Sequence, residues 1–403
     1  MKRLPLILTL LASALVQAWA QDASEYPLYA VYADAPGVQT PALAGYEPFY
    51  ISYCVRHGSR YLTQKSLYDK PYKILKELHE SGALSAEGET LYEEVKTVRA
   101  DSKGREGQLT PMGAREHAAI MERMCAAYPE VFGRVGLRVE AFSSDNQRTI
   151  DSKESALKVL SGAYPGLEIV REPFTKGYFR HPSREYTDSL CKVVTKRMTY
   201  KARPERFIRQ MLKAPESISE KDAKKLMEGV WELSAAASMR PELGVDLARH
   251  ITADEARRMW AQRNIYTYLR YGPSELYGEK VFEDVYPLMR NIVAEADSVL
   301  AGAPVAANMR FIHDSQMVPI SALLHITPNC TVVSDLDRLD KVWDGRSLAC
   351  MAMNVQLIFY RNPSSEEILV KVLFNENEAK LQGVRKYKGP YYRWSDLREK
   401  ITY

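Results

Sequence analysis

The sequence predicts a layered α/β core with an inserted all-helical domain, and three observations carry that expectation. Residues Phe49 to Val55 are continuously apolar or aromatic apart from Ser52, the pattern of a central strand buried on both faces. A later strand pattern is followed by a polar loop and a helical stretch, the order of an α/β layer. From about Pro182 to Leu300 strand signals vanish and apolar residues recur at helical spacing, as at Ala223, Leu226, Met227, Val230 and Leu233.

Taken in order, the chain begins with Lys2 and Arg3, an apolar run from Leu4 to Val16, and small residues at Ala18 and Ala20. This pattern predicts a secretory leader cleaved near Ala20, and hence an exported protein: periplasmic, surface-bound or secreted. The run is shorter than the roughly 20 apolar residues that cross a bilayer, and no later stretch is apolar enough, so no stable membrane insertion is expected after cleavage. A loop rich in Pro, Ala and Gly (36–48) leads into the first strand. Thr110 followed by Pro111 predicts a helix start, a capping hydroxyl before Pro at the first helical position, and Tyr128-Pro129 predicts its end. Leu137, Val139 and Ala141 alternate as in a strand, and a helix follows from about Asp151 to Leu160. Beyond the helical stretch, strand signals return at Met309–Ile312, at Val355, Leu357 and Phe359, and at Ile368, Val370 and Val372. The last two make a hairpin around Arg361–Ser365. The expected division is a leader at 1–20, an α/β core at 21–181 and 301–403, and a helical cap at 182–300.

Charge narrows the partners. The formal net charge is +4, and losing Lys2 and Arg3 leaves 53 basic against 51 acidic residues, too even a balance to argue for nucleic acid. An anionic small molecule would need a local basic pocket instead. Five cysteines (Cys54, Cys125, Cys191, Cys330, Cys350) are too few for a disulfide-stapled scaffold, and one must stay unpaired. Cys54 lies in the apolar run and is expected to be buried, while Cys330 with Cys350 is an open possibility for a bridge. The sequence carries no compact His/Cys/Asp/Glu cluster of metal-ligand type, and neither a metal nor a cofactor is expected.

The chemistry-bearing residues follow strands. Directly after the first buried strand comes Arg56-His57-Gly58-Ser59-Arg60, in the position where α/β sheets bind ligands. Guanidinium forks match phosphate oxygens and keep their charge, and a neutral imidazole between them is a competent nucleophile toward phosphorus. A surface turn rich in arginine is the alternative reading of that stretch alone. A second strand end supplies Ser143 to Arg148, where Arg148 could equally be an ordinary helix-start arginine. The third, Phe311-Ile312-His313-Asp314, offers an acid able to protonate a leaving alkoxide, or else a helix cap. Three strand ends with phosphate-compatible groups are harder to dismiss than one.

The run Arg56-His57-Gly58-Ser59-Arg60, then Leu109-Thr110-Pro111-x-Gly113, Ser144-Asp145-x-x-Arg148 and His313-Asp314, resembles the histidine acid phosphatases, branch 2 of the histidine phosphatase superfamily. Within them the chain looks closest to the multiple inositol polyphosphate phosphatases, which include phytases, through Arg60-Tyr61-x-Thr63, the Tyr-rich stretch Ile265–Tyr271 and Leu373-Phe374-Asn375-Glu376. Two positions depart from the pattern. Leu62 stands where the family usually has proline, and His313-Asp314-Ser315 replaces the His-Ala-Glu of many inositol polyphosphate phosphatases by the His-Asp form of acid phosphatases and other phytases.

The resemblance implies a phosphoglycerate mutase-like sheet flanked by helices. It further implies that His57 is the nucleophile, that Arg56, Arg60, Arg148 and His313 bind the non-bridging oxygens, and that Asp314 protonates the leaving group. Phosphoryl transfer fits such a site because it asks mainly for in-line positioning and charge compensation. An acid donor implies an acidic-to-neutral pH optimum. The helical stretch is expected to act as a lid, with Arg180, His181, Arg184, Lys192, Lys196 and Arg197 as candidate contacts for further phosphates. Each of these also reads as part of a solvated helix face. A broad acid or sugar phosphatase shares the chemistry, and a catalytically silent phospho-ligand-binding protein is the alternative from another class. The oligomeric state is not legible.

Overall fold

The computed structural model describes residues 30–33, 36–172, 188, 191–192, 202–276 and 278–402. The leader expected at 1–20 lies outside them, as do Arg180, His181, Arg184, Lys196 and Arg197 of the basic cluster; Lys192 lies within and is exposed. No helix among the described residues is long and apolar enough to cross a membrane.

The strands are β1 (Glu47–Arg56), β2 (Arg138–Ser143), β3 (Glu168–Arg171), β4 (Val305–Ile312), β5 (Asn354–Asn362), β6 (Ser365–Phe374), β7 (Asn377–Glu378), β8 (Lys386–Lys388) and β9 (Tyr391–Arg393). The principal helices are α1 (Lys65–Glu80), α2 (Ala86–Ser102), α3 (Pro111–Ala127), α4 (Gln147–Ala163), α5 (Glu205–Met211), α6 (Glu220–Ser238), α7 (Ala253–Tyr271), α8 (Tyr286–Leu300), α9 (Asp314–Leu323) and α10 (Trp394–Ile401).

Among the described residues nine strands join one sheet in the order β3-β2-β4-β1-β5-β6-β9-β8, with β7 beside β6. The half from β3 to β1 is parallel, and from β1 onward the pairings are antiparallel, including the β5–β6 hairpin. β1 sits at the change of direction, which is why its sequence is apolar on both faces. Side chains alternate across the sheet. Tyr53 and Phe311 meet edge to face on one side, where Phe311 also meets His117 of α3. On the other side Arg310 donates to Ser52 and pairs with Glu295 of α8. The buried Arg310 is tolerated in a central strand because Glu295, Asn291 and Ser52 take its donors.

Two compact units divide the chain. Among the described residues the sheet unit holds those of 31–60, 108–192 and 265–402. The helical unit takes 61–107 and 202–264, so α1 and α2 join it, although they precede the stretch 182–300, and α8 stays with the sheet. The reason lies in the apolar stripes: Tyr68, Pro71, Leu75 and Leu78 of α1 are buried, and Gly229 of α6 is small enough to let Pro71 approach. α8 buries Leu288, Met289, Ile292, Val293 and Ala296, the stripe of a helix laid on a sheet. Within the helical unit Leu62 donates its backbone N–H to the Tyr68 hydroxyl at 2.7 Å, a bond that a proline at this position could not make. No disulfide forms among the described residues, so Cys330 and Cys350 are not bridged, and Cys54 is buried as expected.

Candidate active site

Register brings the three polar segments together. Arg56 pairs with Ile312 and Ser143 with Phe311, so β1, β4 and β2 end flush and their next residues, His57, His313 and Ser144, emerge side by side. The ladder runs one step further, with His57 N–H donating to Ile312 O at 3.0 Å and Ser144 N–H to Phe311 O at 3.0 Å. Antiparallel β5 flanks β1 on its other side, so this is the crevice at the carboxyl ends of the parallel strands, beside a change of direction.

The loop after β1 is clamped by backbone contact. A Cβ on Gly113 would lie 2.2 Å from Ser59 O, and one on Gly58 would lie 2.5 Å from Gly113 O. Thr110 caps α3 by accepting from Gly113 N–H at 3.1 Å, while its own N–H and hydroxyl donate to Ser59 O at 2.8 and 3.0 Å. The Leu109-Thr110-Pro111-x-Gly113 stretch is thus a brace for the arginine loop. A further brace was not foreseen from sequence: Glu116 accepts from Ser59 N–H and Ser59 Oγ at 2.7 Å each, and from Tyr32 N–H at 3.1 Å. Burial raises its pKa against those hydrogen bonds. The available signal was an acid in register with Gly113 and Ile120 on the buried stripe of α3.

Within the crevice His57 is 2 % exposed and its Nδ1 lies 2.9 Å from Gly58 O. A carbonyl only accepts, so Nδ1 carries the proton and the Nε2 lone pair is left for chemistry. Burial first, and then the charges of Arg56, Arg148, His313 and Arg60, hold the imidazole pKa well below its usual value. Arg56 is fully buried: Nη1 donates to the carbonyls of Ala349 and Cys350, and Nη2 pairs with Asp314 Oδ2 at 3.0 Å. Asp314 keeps a side chain 23 % exposed. Burial raises its pKa, but Arg56, His313, Arg60 and the Ser315 N–H outweigh it and bring it to about 2. Arg148, on the first turn of α4, reaches His313 Nδ1 with Nη2 at 3.3 Å, so the helix-start reading and the site reading both hold for it. Its pKa is lowered to about 10 by burial and by Arg60 and Arg56. The rings of His57 and His313 stand edge to face, 5.5 Å between centroids. Arg60 is buried after the same loop and bears electrostatically on His57, Arg148 and Asp314.

The six residues expected to be catalytic or to bind the reacting phosphate therefore gather at the carboxyl ends of β1, β2 and β4 in the sheet unit, a cationic cluster around a neutral His57 imidazole and the Asp314 carboxylate. A family model described as the histidine phosphatase superfamily (branch 2) matches residues 53–375. The fold is shared with multiple inositol polyphosphate phosphatase from Bifidobacterium longum. Its complex with inositol hexasulfate has a TM-score of 0.78 and 16% identity over 94% of this chain and 97% of that one. Its phosphate complex has a TM-score of 0.79 at 17% identity over the same shares. The phytase of D. castellii aligns with a TM-score of 0.71 at 13% identity, over 94% of this chain and 84% of that one. No curated protein sequence matches the chain. The chain belongs to branch 2 of the histidine phosphatase superfamily. Within that class it is a histidine acid phosphatase, an enzyme that hydrolyses phosphomonoesters.

Proposed function

We propose that this phosphatase works through a phosphohistidine on His57 and that its substrates are inositol polyphosphates such as phytate. The observation that carries the reading is the convergence of the segments 56–60, 144–148 and 313–314, joined by the Arg56–Asp314 pair at 3.0 Å and the Arg148–His313 contact at 3.3 Å. In the first step His57 Nε2 attacks phosphorus, the N–P bond forms and the P–O bond to the alcohol breaks. Arg56, Arg60, Arg148 and His313 compensate charge on the equatorial oxygens. Asp314 gives a proton to the departing oxygen. In the second step Asp314, now a carboxylate, takes a proton from the water that attacks phosphohistidine, and inorganic phosphate leaves.

Asp314 is a carboxylate in the empty site, so the proton it donates has to arrive with the substrate. A phosphomonoester monoanion, whose remaining proton has a pKa of roughly 6, carries one. As the phosphoryl group enters, Arg56 turns from Asp314 to a phosphoryl oxygen, and the carboxylate, short of its cation and beside new negative charge, takes that proton.

The inositol polyphosphate assignment is supported by the fold shared with the Bifidobacterium longum enzyme and the D. castellii phytase, and by the motifs Arg60-Tyr61-x-Thr63 and Leu373-Phe374-Asn375-Glu376. His313-Asp314-Ser315 favours a second reading, a broad acid or sugar phosphatase. Turnover of phytate, glucose 1-phosphate and p-nitrophenyl phosphate by the purified protein separates them. Phytate is expected to have the highest kcat/KM; negligible phytate turnover beside brisk hydrolysis of the simple esters overturns the assignment. The basic, apolar and small-residue order of residues 1–20 supports export, tested by finding Gln21 at the N-terminus of the mature protein.

A further inference from the structure

Tyr32, in the segment that leads into β1, is buried and held at both ends. Its backbone N–H donates to Glu116 Oε1 at 3.1 Å, on the same carboxylate that takes Ser59 N–H and Ser59 Oγ. Its hydroxyl lies 2.9 Å from Glu376 Oε2 and 3.0 Å from Asn354 Nδ2. Asn354 Nδ2 also faces Ala352 O at 3.2 Å, a carbonyl that only accepts, so the amide is fixed with its nitrogen on that side and donates to Tyr32. The Tyr32 hydrogen therefore goes to Glu376. Burial, and next the Glu376 carboxylate, push the phenol pKa up, so the hydroxyl keeps that hydrogen across the working pH range. Arg123 holds Glu376 through Nε at 2.9 Å and Nη2 at 2.7 Å. Glu116 and Arg123 stand two turns apart on one face of α3, so Tyr32 spans that face.

Both ends lead to the site. Glu116 grips the arginine loop at Ser59, while the segment 349–354 grips it at Arg56 and His57. Ala349 O and Cys350 O accept from the Arg56 guanidinium, Met353 O accepts from Arg56 N–H at 2.8 Å, and Ala352 N–H donates to His57 O at 3.1 Å. The backbone there is strained: Ala352 has φ +51°, and Asn375 and Glu376 have φ +48° and +62°. Asn375 is bonded to Asn354 in both directions, its N–H to Asn354 O at 2.8 Å and its Oδ1 from Asn354 N–H at 2.9 Å. Residues other than glycine persist in the left-handed region where their surroundings impose it, and Tyr32, Asn354 and Arg123 supply those contacts. We infer that Tyr32 is a positioning residue for phosphoryl transfer, locking the segment 349–354 to α3 and so fixing the backbone from which Arg56 serves the transition state. Tyr32 acts through its neighbours and not on the substrate. Arg56 turns from Asp314 to a phosphoryl oxygen as the site fills, and a guanidinium that turns needs a frame that does not. The inference rests on that role of Arg56.

Tyr32→Phe keeps the ring and the backbone bond to Glu116 and removes only the hydroxyl. On p-nitrophenyl phosphate its kcat should fall about tenfold, the scale of one hydrogen bond to a charged group, while KM changes less than about twofold, because Arg56 is asked for most in the transition state. Amide exchange read by mass spectrometry should quicken in peptides covering 349–354. Lys371→Met is the structural control: Lys371 is buried and donates to Thr40 O, so its loss loosens the same N-terminal segment away from Tyr32. It is expected to lower the melting temperature and leave kcat and the exchange of 349–354 as in the parent. Parent-like kcat in Tyr32→Phe, a loss confined to KM, or an equal loss of kcat in Lys371→Met overturns the inference. Asn354→Ala, alone and with Tyr32→Phe, adds a cycle: the double variant should be no slower than Asn354→Ala, whereas multiplied losses would show the two residues acting separately and contradict the lock. Arg56→Lys, assayed beside them, separates the two levels. Full activity in Arg56→Lys defeats the role of Arg56 itself, while a crippled Arg56→Lys beside a parent-like Tyr32→Phe defeats the inference alone.

Discussion

His57 and Asp314 need opposite protonation states, and the residues around them set both. Burial and neighbouring cations keep the imidazole neutral, while the Arg56 pair keeps the resting carboxylate ionised. The expected acidic-to-neutral optimum therefore comes from the substrate's proton rather than from a protonated Asp314 waiting in the empty site. kcat/KM should fall as pH rises past roughly 6, approaching tenfold per unit as the monoanion disappears. Asp314→Asn tests the donor. It should lose about 10²- to 10³-fold in kcat on alkyl phosphates such as glucose 6-phosphate, but much less on p-nitrophenyl phosphate, whose leaving group needs no acid. Equal losses on both substrates, or a parent profile still rising through pH 9, would remove Asp314 from that role. At this scale the sequence was informative wherever residues were polar at strand ends. It was silent on Glu116, because its meaning lies in contacts that only tertiary structure makes.

The elements explain why the loop 56–60 can hold so much charge in place. α3 abuts it with no side chain between, so Gly113→Ala should push Ser59 outward, lowering kcat/KM by about 10²-fold and stability by about 1–3 kcal/mol. Activity and melting temperature of that variant check it; parent-like values would show the brace to be dispensable. The same helix carries a liability in His117, buried with neither ring nitrogen hydrogen-bonded and with its pKa lowered to about 3 by burial. The unfolded chain binds a proton at about pH 6.5 that the folded chain refuses until about 3, so stability is full above that window and declines as pH falls through it. Between pH 6.5 and 4.5 the loss is on the order of 2–3 kcal/mol. His117→Leu should abolish that part of the acid dependence, as urea unfolding at both pH values would reveal; identical losses in the two proteins would contradict it. The apolar and alternating runs predicted β1, β2, β4 and the β5–β6 hairpin, because strands in a layered sheet write their burial into the sequence. The helix expected at Asp151–Leu160 runs from Gln147 to Ala163, and its earlier start is what brings Arg148 onto the first turn.

Across the whole molecule, the layered architecture was legible because periodicity changes where strands give way to helices. The composition of the helical unit was not. Residues 61–107 carry the same helical pattern whichever body they pack on, and the assignment of α1 and α2 depends on matching surfaces such as Pro71 against Gly229. The convergence of the three strand ends likewise depends on the order β2-β4-β1, which no local pattern encodes. Arg56, His57, Arg60, Arg148, His313 and Asp314 all fall in the sheet unit. The most direct measurement is to mix enzyme and substrate, quench in alkaline denaturant, where phosphohistidine survives, and map the phosphoryl group by mass spectrometry. It is expected on the peptide containing His57 and absent from His57→Ala, which should also be inactive. A phosphoryl group on any other residue, or full turnover by His57→Ala, would contradict the mechanism.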